Sequence, residues 1–147
     1  AACTFDQAVR RWDLATLDRR SAPGALPGDL AGVALSPDGS RLAVASRNTG
    51  LYLWEPDSDR PASLADKEPG LTAVAFAPGG LSLVCGGAWG GPLKVRDTAT
   101  GKTALVPALA SGRVNAVAFA PDGRLLAAAC SDGTVRLWDV TADEPGR

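Results

Sequence analysis

Gly101, Lys102 and Thr103 form the motif in this chain that comes nearest to a catalytic signature, because phosphate-binding loops end in Gly-Lys-Thr or Gly-Lys-Ser. Such a loop also requires a glycine five residues before Gly101 and a helix after the lysine. Arg96 occupies the glycine position, and the surrounding pattern predicts a strand, a turn and a second strand. We therefore interpret the motif as a hairpin turn.

A glycine-rich segment at 86–91 is the second candidate for nucleotide chemistry. It does not match the Gly-x-Gly-x-x-Gly spacing, and it precedes a predicted strand instead of a helix. The segment is interpreted as a hairpin loop with one extra residue. Its tryptophan, Trp89, has two open interpretations: contact with a partner, since Trp is enriched at binding hot spots, or local packing.

The residues that usually build catalytic and metal sites are scarce. The chain has no histidine, and its three cysteines, Cys3, Cys85 and Cys130, lack the spacing of a metal site. We expect no catalytic residues, no metal and no cofactor. An odd number of cysteines without a signal peptide favours a reducing, cytoplasmic location. The net charge of −1 and the short apolar runs predict no nucleic-acid partner and no membrane partner.

The elements that position these residues repeat every 42 residues or so. One anchor is a similar seven-residue segment that begins at Val33, Val74 and Val117 and ends in a Pro-Asp-Gly or Pro-Gly-Gly turn. A second anchor recurs at steps of 42, at Trp12, Trp54, Arg96 and Trp138. Two independent anchors with one period predict a repeat architecture.

Within each repeat the pattern favours strands. Short apolar runs end at Pro-containing turns, and a further run ends at a turn such as Asp132-Gly133. Each unit is predicted to be a four-stranded antiparallel meander that must stack on its neighbours to bury both faces. The recurring acidic residues are interpreted as turn hydrogen-bond acceptors and not as a carboxylate ring: Asp13, Glu55, Asp97 and Asp139.

The Trp-Asp endings, the Pro-Asp-Gly hairpins and the Ser-Asp-Gly-Thr turn at 131–134 resemble WD40 repeats over essentially the whole chain. The resemblance implies an all-β propeller, usually of seven blades. It places the strands of the first complete blade at about 30–36, 41–46, 50–55 and 60–65. The implied units are a partial blade of outer strands at 1–29, repeats at 30–70 and 71–113, and a repeat lacking its outermost strand at 114–147.

The chain also departs from the family. WD40 blades often join His, Asp, Ser or Thr, and Trp in a hydrogen-bonded tetrad. The histidine positions here hold Leu26, Lys67 and Ala110, and the matching aspartate positions hold Asp6, Asn48, Gly90 and Asp132. Arg96 replaces the tryptophan of the third repeat. We expect no complete tetrad, and blades that depend on packing more than on this polar network.

The resemblance implies a non-catalytic scaffold that binds a protein or peptide through its rim loops. The candidate contacts are Arg47, Lys67, Trp89 and Arg113. The residues expected to have a structural role in the repeat are Trp12, Trp54, Arg96 and Trp138, together with Asp132. Two alternatives remain: a regulatory or sensor propeller of a larger bacterial signalling enzyme, such as a kinase or NTPase, and a propeller hydrolase or lyase.

The residue usage and the repeat count carry two further expectations. Arginine outnumbers lysine 12 to 3, alanine numbers 27 and isoleucine is absent, a usage typical of GC-rich bacterial genomes. The chain lacks methionine, which suggests a fragment or processed piece. Three complete repeats would leave two blade faces open. We expect self-association, or the remainder of a propeller, to cover them.

Overall fold

The computed structural model describes residues 2–3, 9–21, 26–55, 63–87, 92–106 and 112–140. Across these residues the secondary structure consists of strands and turns, arranged as four antiparallel sheets. No helix among them is long and apolar enough to cross a membrane. The all-β antiparallel architecture predicted from the repeats is confirmed.

The sheets, numbered I to IV, follow one another along the chain, and strands adjacent in sequence pair within each sheet. Sheet I contains β1 (Ala2–Cys3), β2 (Val9–Trp12) and β3 (Arg19–Ser21). Sheet II contains β4 (Leu30–Leu35), β5 (Leu42–Ser46), β6 (Gly50–Trp54) and β7 (Ser63–Asp66). Sheet III contains β8 (Leu71–Phe76), β9 (Ser82–Gly87), β10 (Leu93–Asp97) and β11 (Thr103–Val106). Sheet IV contains β12 (Val114–Phe119), β13 (Leu125–Cys130) and β14 (Val135–Asp139).

The Pro-containing turns close the first hairpin of sheets II, III and IV, as the sequence predicts. Gly39, Gly80 and Gly123 have φ near +70°, and each donates its amide to the carbonyl oxygen three residues earlier at 2.8–2.9 Å. Glycine adopts this left-handed conformation without steric cost, which explains why it recurs at the same place in the repeat.

The inner strands β4, β8 and β12 lie side by side, with β8 between the other two. Each contains a β-bulge at its second residue, at Ala31, Thr72 and Asn115. The strands approach closely, since a Cβ on Gly32 would lie 3.2 Å from the carbonyl oxygen of Thr72. Small residues on the inner strands permit this approach, in agreement with the tapering expected of propeller blades.

Among the described residues the core is divided into three hydrophobic clusters, each shared by two successive sheets. The cluster between I and II is built around Val9, Leu42 and Trp54. The other two lie between II and III and between III and IV; Cys85 is buried in the first and Cys130 in the second. Each sheet therefore has an upstream face, towards the preceding sheet, and a downstream face, towards the following one. Alternation along the strands assigns neighbouring residues to opposite faces.

Candidate protein-binding rim

The candidate site is one edge of the sheets, here called the rim. It consists of the segments that lead into β4, β8 and β12 together with the β5–β6 and β13–β14 turns. Arg47 lies in the β5–β6 turn, and Lys67 and Arg113 lie in the segments that lead into β8 and β12. All three are exposed on the same edge. Trp89, the fourth predicted contact, lies outside the described residues.

Backbone hydrogen bonds fix the turns against the entering segments. Arg47 donates its amide to the carbonyl oxygen of Asp29 at 2.9 Å, and Ser131 donates in the same way to Arg113 at 2.8 Å. Gly70 donates its amide to the carbonyl oxygen of Arg47 at 2.6 Å, which joins the rim of sheet II to that of sheet III. The rim is therefore continuous across these sheets.

Arg47 is paired with Asp29. Its Nη1 lies 3.1 Å from Oδ1 and 3.0 Å from Oδ2 of that carboxylate, and both side chains are about half exposed. An ion pair this exposed contributes about 0–1 kcal/mol because water screens it. Its main effect is to hold the guanidinium in one position beside the β5–β6 turn.

Asn48 organises the same part of sheet II. Its Oδ1 accepts the amide of Asp29 at 2.8 Å and the hydroxyl of Ser46 at 3.0 Å. Gly28, at φ +111°, leads the chain past these groups, and a Cβ there would lie only 2.6 Å from Ser46 Oγ. Asn48 occupies the aspartate position of the tetrad. It takes part in this local network, although no complete tetrad was expected in the chain.

Sheet IV builds its rim differently. Arg113 has the position of Asp29, and its Nε donates to Asn115 Oδ1 at 3.2 Å. Asp132 accepts the hydroxyl of Thr134 at 2.6 Å and pairs with Arg136 Nη2 at 3.0 Å. Hydrogen bonds from Thr134, with the charge of Arg136, lower the pKa of Asp132. Asp132 is thus engaged within its own turn.

Lys67 is exposed next to Glu68, whose carboxylate pairs with Lys94 on β10. No carboxylate pairs with Lys67 or Arg113 among the described residues. Among the described residues Lys67 and Arg113 are therefore exposed cations without a carboxylate partner, whereas Arg47, Lys94 and Arg136 are each paired with a carboxylate.

The Trp-Asp positions differ in burial from sheet to sheet. Trp54 is 5% exposed, and its Nε1 has no hydrogen-bond partner among the described residues. Trp138 packs against the cluster between III and IV, whereas Trp12 is 40% exposed. Leu26, at a tetrad histidine position, packs against the cluster between I and II. Among the described residues, the indole of Trp54 is thus held by packing and not by a hydrogen bond.

The candidate nucleotide motifs do not form nucleotide sites in the described residues. Gly101, at φ +71°, lies in the β10–β11 turn, and a strand follows it instead of a helix. Gly86 and Gly87 are the last residues of β9, and 88–91 lie outside the described residues. Asp13 and Asp97 accept amides of their own turns at 2.7–3.3 Å, as predicted. In the described ranges no three His, Cys, Asp or Glu side chains cluster as metal ligands would.

Comparison with known families agrees with this geometry. The family "WD domain, G-beta repeat" matches residues 24–55 and 107–139, the segments that contain most of sheet II and sheet IV. These two segments match the WD40 repeat. The WD40 matches leave out sheet I, which contains Trp12, and sheet III, which has Arg96 at the equivalent position.

Three curated relatives match almost the whole chain, and the name of one of them describes it as a WD repeat-containing protein. The chain is 28% identical to small ribosomal subunit protein RACK1 of Drosophila melanogaster, over 95% of this chain and 46% of that protein. It is 30% identical to meiotic recombination protein rec14 of Schizosaccharomyces pombe, over 97% and 48%. It is 28% identical to WD repeat-containing protein SL1-17 of Schistosoma mansoni, over 95% and 46%. The chain spans about half the length of these relatives.

Proposed function

We propose that this chain is part of a non-catalytic scaffold whose rim binds an acidic segment of a protein partner. The observation that carries the proposal is the arrangement of Lys67 and Arg113, two exposed cations on one edge, without carboxylate partners among the described residues. Scaffolding is the general role suggested by its WD40 relatives. Charged residues on a binding surface increase the specificity for an oppositely charged partner and the rate of association with it.

The rim residues have different expected roles. A hydrogen bond to Asn115 orients the side chain of Arg113. The remaining N–H donors of its planar guanidinium match the two oxygens of a carboxylate better than a lysine ammonium does. Lys67 supplies a flexible second charge. Arg47 is already engaged with Asp29 and contributes less. Trp89 is proposed as an aromatic contact on the neighbouring loop.

The test uses a short labelled peptide rich in glutamate and aspartate, with a matched peptide in which glutamine and asparagine replace them. Fluorescence anisotropy at low and high salt is measured for the parent chain and for Arg113→Ala, Lys67→Ala, Trp89→Ala and Arg47→Ala. We expect salt-sensitive binding of the acidic peptide alone, weakened severalfold by Arg113→Ala and Lys67→Ala, with an unchanged Tm. Equal binding of both peptides, or a parallel loss of binding and Tm, would contradict the proposal.

The second candidate is a regulatory or sensor propeller within a larger bacterial signalling enzyme, in the cytoplasm. It is supported by the arginine-rich, isoleucine-free residue usage, whereas the relatives named above are eukaryotic. Sequencing of the surrounding gene tests it. An open reading frame with a catalytic domain in a GC-rich genome would favour this candidate. A frame that holds propeller repeats alone would exclude it.

A further inference from the structure

Three Asp-Gly pairs lie in turns of the chain, with their aspartates exposed, at 38–39, 122–123 and 132–133. In such a pair the backbone nitrogen of the glycine can attack Cγ of the aspartate, because glycine has no side chain to shield that nitrogen. The attack closes a succinimide ring and releases one carboxyl oxygen as water. Water then reopens the ring at either carbonyl, so that the product is aspartate again or isoaspartate, in which the main chain runs through Cγ.

The reaction requires a carboxyl group that can be protonated and can rotate towards the glycine nitrogen. The neutral acid reacts because its hydroxyl leaves as water, whereas a carboxylate is a poor electrophile. Hydrogen bonds donated to the carboxylate stabilise the anion and fix its orientation, so they oppose both requirements. The partners of each carboxylate therefore determine how reactive the three pairs are.

The turns that contain Asp38 and Asp122 have the same backbone conformation. Gly39 and Gly123 have φ +72° and +74°. Their amides donate to the carbonyl oxygen three residues earlier, at 2.8 and 2.9 Å. Freeing the attacking nitrogen should therefore cost about the same in both turns, and a difference in reactivity must come from the carboxyl groups.

The two carboxyl groups have different partners. Asp38 accepts two serine hydroxyls, at 2.5 and 2.7 Å, and a serine amide at 3.1 Å. These hydrogen bonds lower its pKa from 3.8 to about 2. Among the described residues Asp122 accepts one hydrogen bond, from the amide of Arg124 to Oδ1 at 3.0 Å. Its Oδ2 is left without a protein donor in this part of the chain, so the carboxyl group of Asp122 is the less restrained of the two.

The third pair resembles the first. Asp132 accepts the hydroxyl and the amide of Thr134, at 2.6 and 3.0 Å, and Arg136 pairs with its other oxygen at 3.0 Å. We propose that Asp122-Gly123 is the preferred site of spontaneous isoaspartate formation in the folded chain, and that neighbouring side chains protect Asp38 and Asp132 by holding their carboxylates.

The modification would add a methylene group to the main chain in the β12–β13 turn. That turn is closed by hydrogen bonds from the amide of Ala120 to the carbonyl oxygen of Leu125 and from the amide of Gly123 to that of Ala120, both at 2.9 Å. Leu126, the next residue of β13, is completely buried in the cluster between III and IV. The isoaspartate form should therefore have a lower Tm. The turn lies at the edge opposite the rim, so the proposal stands or falls independently of peptide binding there.

The test incubates the chain in heavy-oxygen water at neutral pH, once folded and once in urea. Each passage through the ring introduces one heavy oxygen from the solvent, and mass spectrometry of the peptides locates it. Chromatography against synthetic isoaspartyl peptides measures the isomer. In the folded chain Asp122 should take up label at least about tenfold faster than Asp38, since each pKa unit changes the protonated fraction tenfold. In urea the two rates should become similar, because Pro-Asp-Gly is common to both sites.

Exchanging the neighbours tests the cause. Ala120→Ser combined with Arg124→Ser gives Asp122 the serines that surround Asp38, and it should slow labelling at Asp122. Ser40→Ala should accelerate labelling at Asp38. Asp122→Glu is the control that should abolish label at this position, because its ring would need six members.

Three results would overturn the proposal. One is labelling of Asp38 or Asp132 in the folded chain as fast as that of Asp122. Another is no label at Asp122 in the folded chain while the urea sample is labelled. The third is unchanged labelling at Asp38 in Ser40→Ala, a variant whose fold is checked by far-ultraviolet circular dichroism.

Discussion

Thr72 and Val114 are joined across two sheets, because the hydroxyl of Thr72 donates to the carbonyl oxygen of Val114 in the neighbouring inner strand. The hydroxyl also lies 3.4 Å from the carbonyl oxygen of Gly86. Thr72 is the bulge residue of β8, and it is buried. The bulge turns a side chain sideways, so that it bridges two sheets that share no backbone pairing.

Removing this bridge should destabilise the packing of sheet III on sheet IV. We expect Thr72→Val, which keeps the shape, to lower the free energy of unfolding by about 1–3 kcal/mol, because it leaves a buried carbonyl oxygen without this donor. Thr72→Ser keeps the hydroxyl and should lose less. Urea unfolding of the three proteins measures the difference. If Thr72→Ser lowered the free energy of unfolding as much as Thr72→Val, the methyl group of Thr72 would matter more than its hydroxyl.

Gly28 should tolerate no side chain. It has φ +111°, and a Cβ would lie 2.7 Å from Thr49 Oγ1 as well as against Ser46 and Asn48. We expect Gly28→Ala to cost about 1–3 kcal/mol through backbone strain and the disturbed rim network. Gly79→Ala is the control, since Gly79 has open space around it and should change stability by less than about 0.5 kcal/mol. Thermal unfolding that shows equal effects would mean that the rim network is not rigid.

Leu17 should be a strained position. Its φ is +59°, in the left-handed region, in a turn where its amide donates to the carbonyl oxygen of Asp13 at 2.8 Å. The equivalent turn of sheet III has Gly101 there, at φ +71°. The left-handed conformation costs a leucine roughly 1–2 kcal/mol. Leu17→Asn or Leu17→Gly should therefore raise Tm, whereas Ala15→Gly in the same turn should lower it or leave it unchanged. A decrease in Tm for both Leu17 variants would show that the leucine side chain contributes contacts that exceed the strain.

Asp38 should make stability depend on pH below 4. Its carboxylate accepts the hydroxyl of Ser36 at 2.5 Å and that of Ser40 at 2.7 Å, and these bonds lower its pKa from 3.8 to about 2. A depressed pKa means that the contribution is complete above about pH 4 and disappears as the pH falls towards 2. Tm measured across this range should fall less steeply in Asp38→Asn than in the parent chain. Ser40→Ala should move the carboxyl titration, followed by NMR, to higher pH, and an unmoved titration would contradict the assignment.

The period predicted most of the fold because each repeat contains its own local signals. The first complete blade was expected at about 30–36, 41–46, 50–55 and 60–65, and its strands are found at 30–35, 42–46, 50–54 and 63–66. The fourth strand is displaced most, since no turn motif marks its start. Turn glycines and alternating apolar residues determine structure over a few neighbouring positions. Such local signals can be recognised directly in the sequence.

The rim was predicted less completely. Arg47 was identified as a candidate contact, but its ion pair with Asp29 was not. The two residues lie 18 positions apart in different loops, and the repeat pattern does not show that these loops are adjacent. The glycines at 28, 70 and 112, all with positive φ, recur at steps of 42 and mark these entering segments, a signal outside the two repeat anchors. The predicted contacts at Arg47, Lys67, Trp89 and Arg113 stay predictions.

Trp12 illustrates a different limit. Its position in the repeat matches that of Trp54, yet the first is 40% exposed and the second is 5% exposed. The burial of such a tryptophan depends on whether another sheet packs against it. The sequence of its own repeat does not contain this information. Local pattern determines the strand, whereas its environment depends on what stacks upon it.

The division of the core into three clusters, each shared by only two sheets, has a consequence for dynamics. In the part of the chain that the structure describes, sheets II and III are each held by two clusters, whereas sheets I and IV are each held by one. Local opening should therefore begin at the ends and move inwards, as in a linear array with nearest-neighbour coupling. The amide protons of β5 and β9 should be the last to exchange with solvent, so that the middle of the chain retains its structure while the end sheets open and close around it.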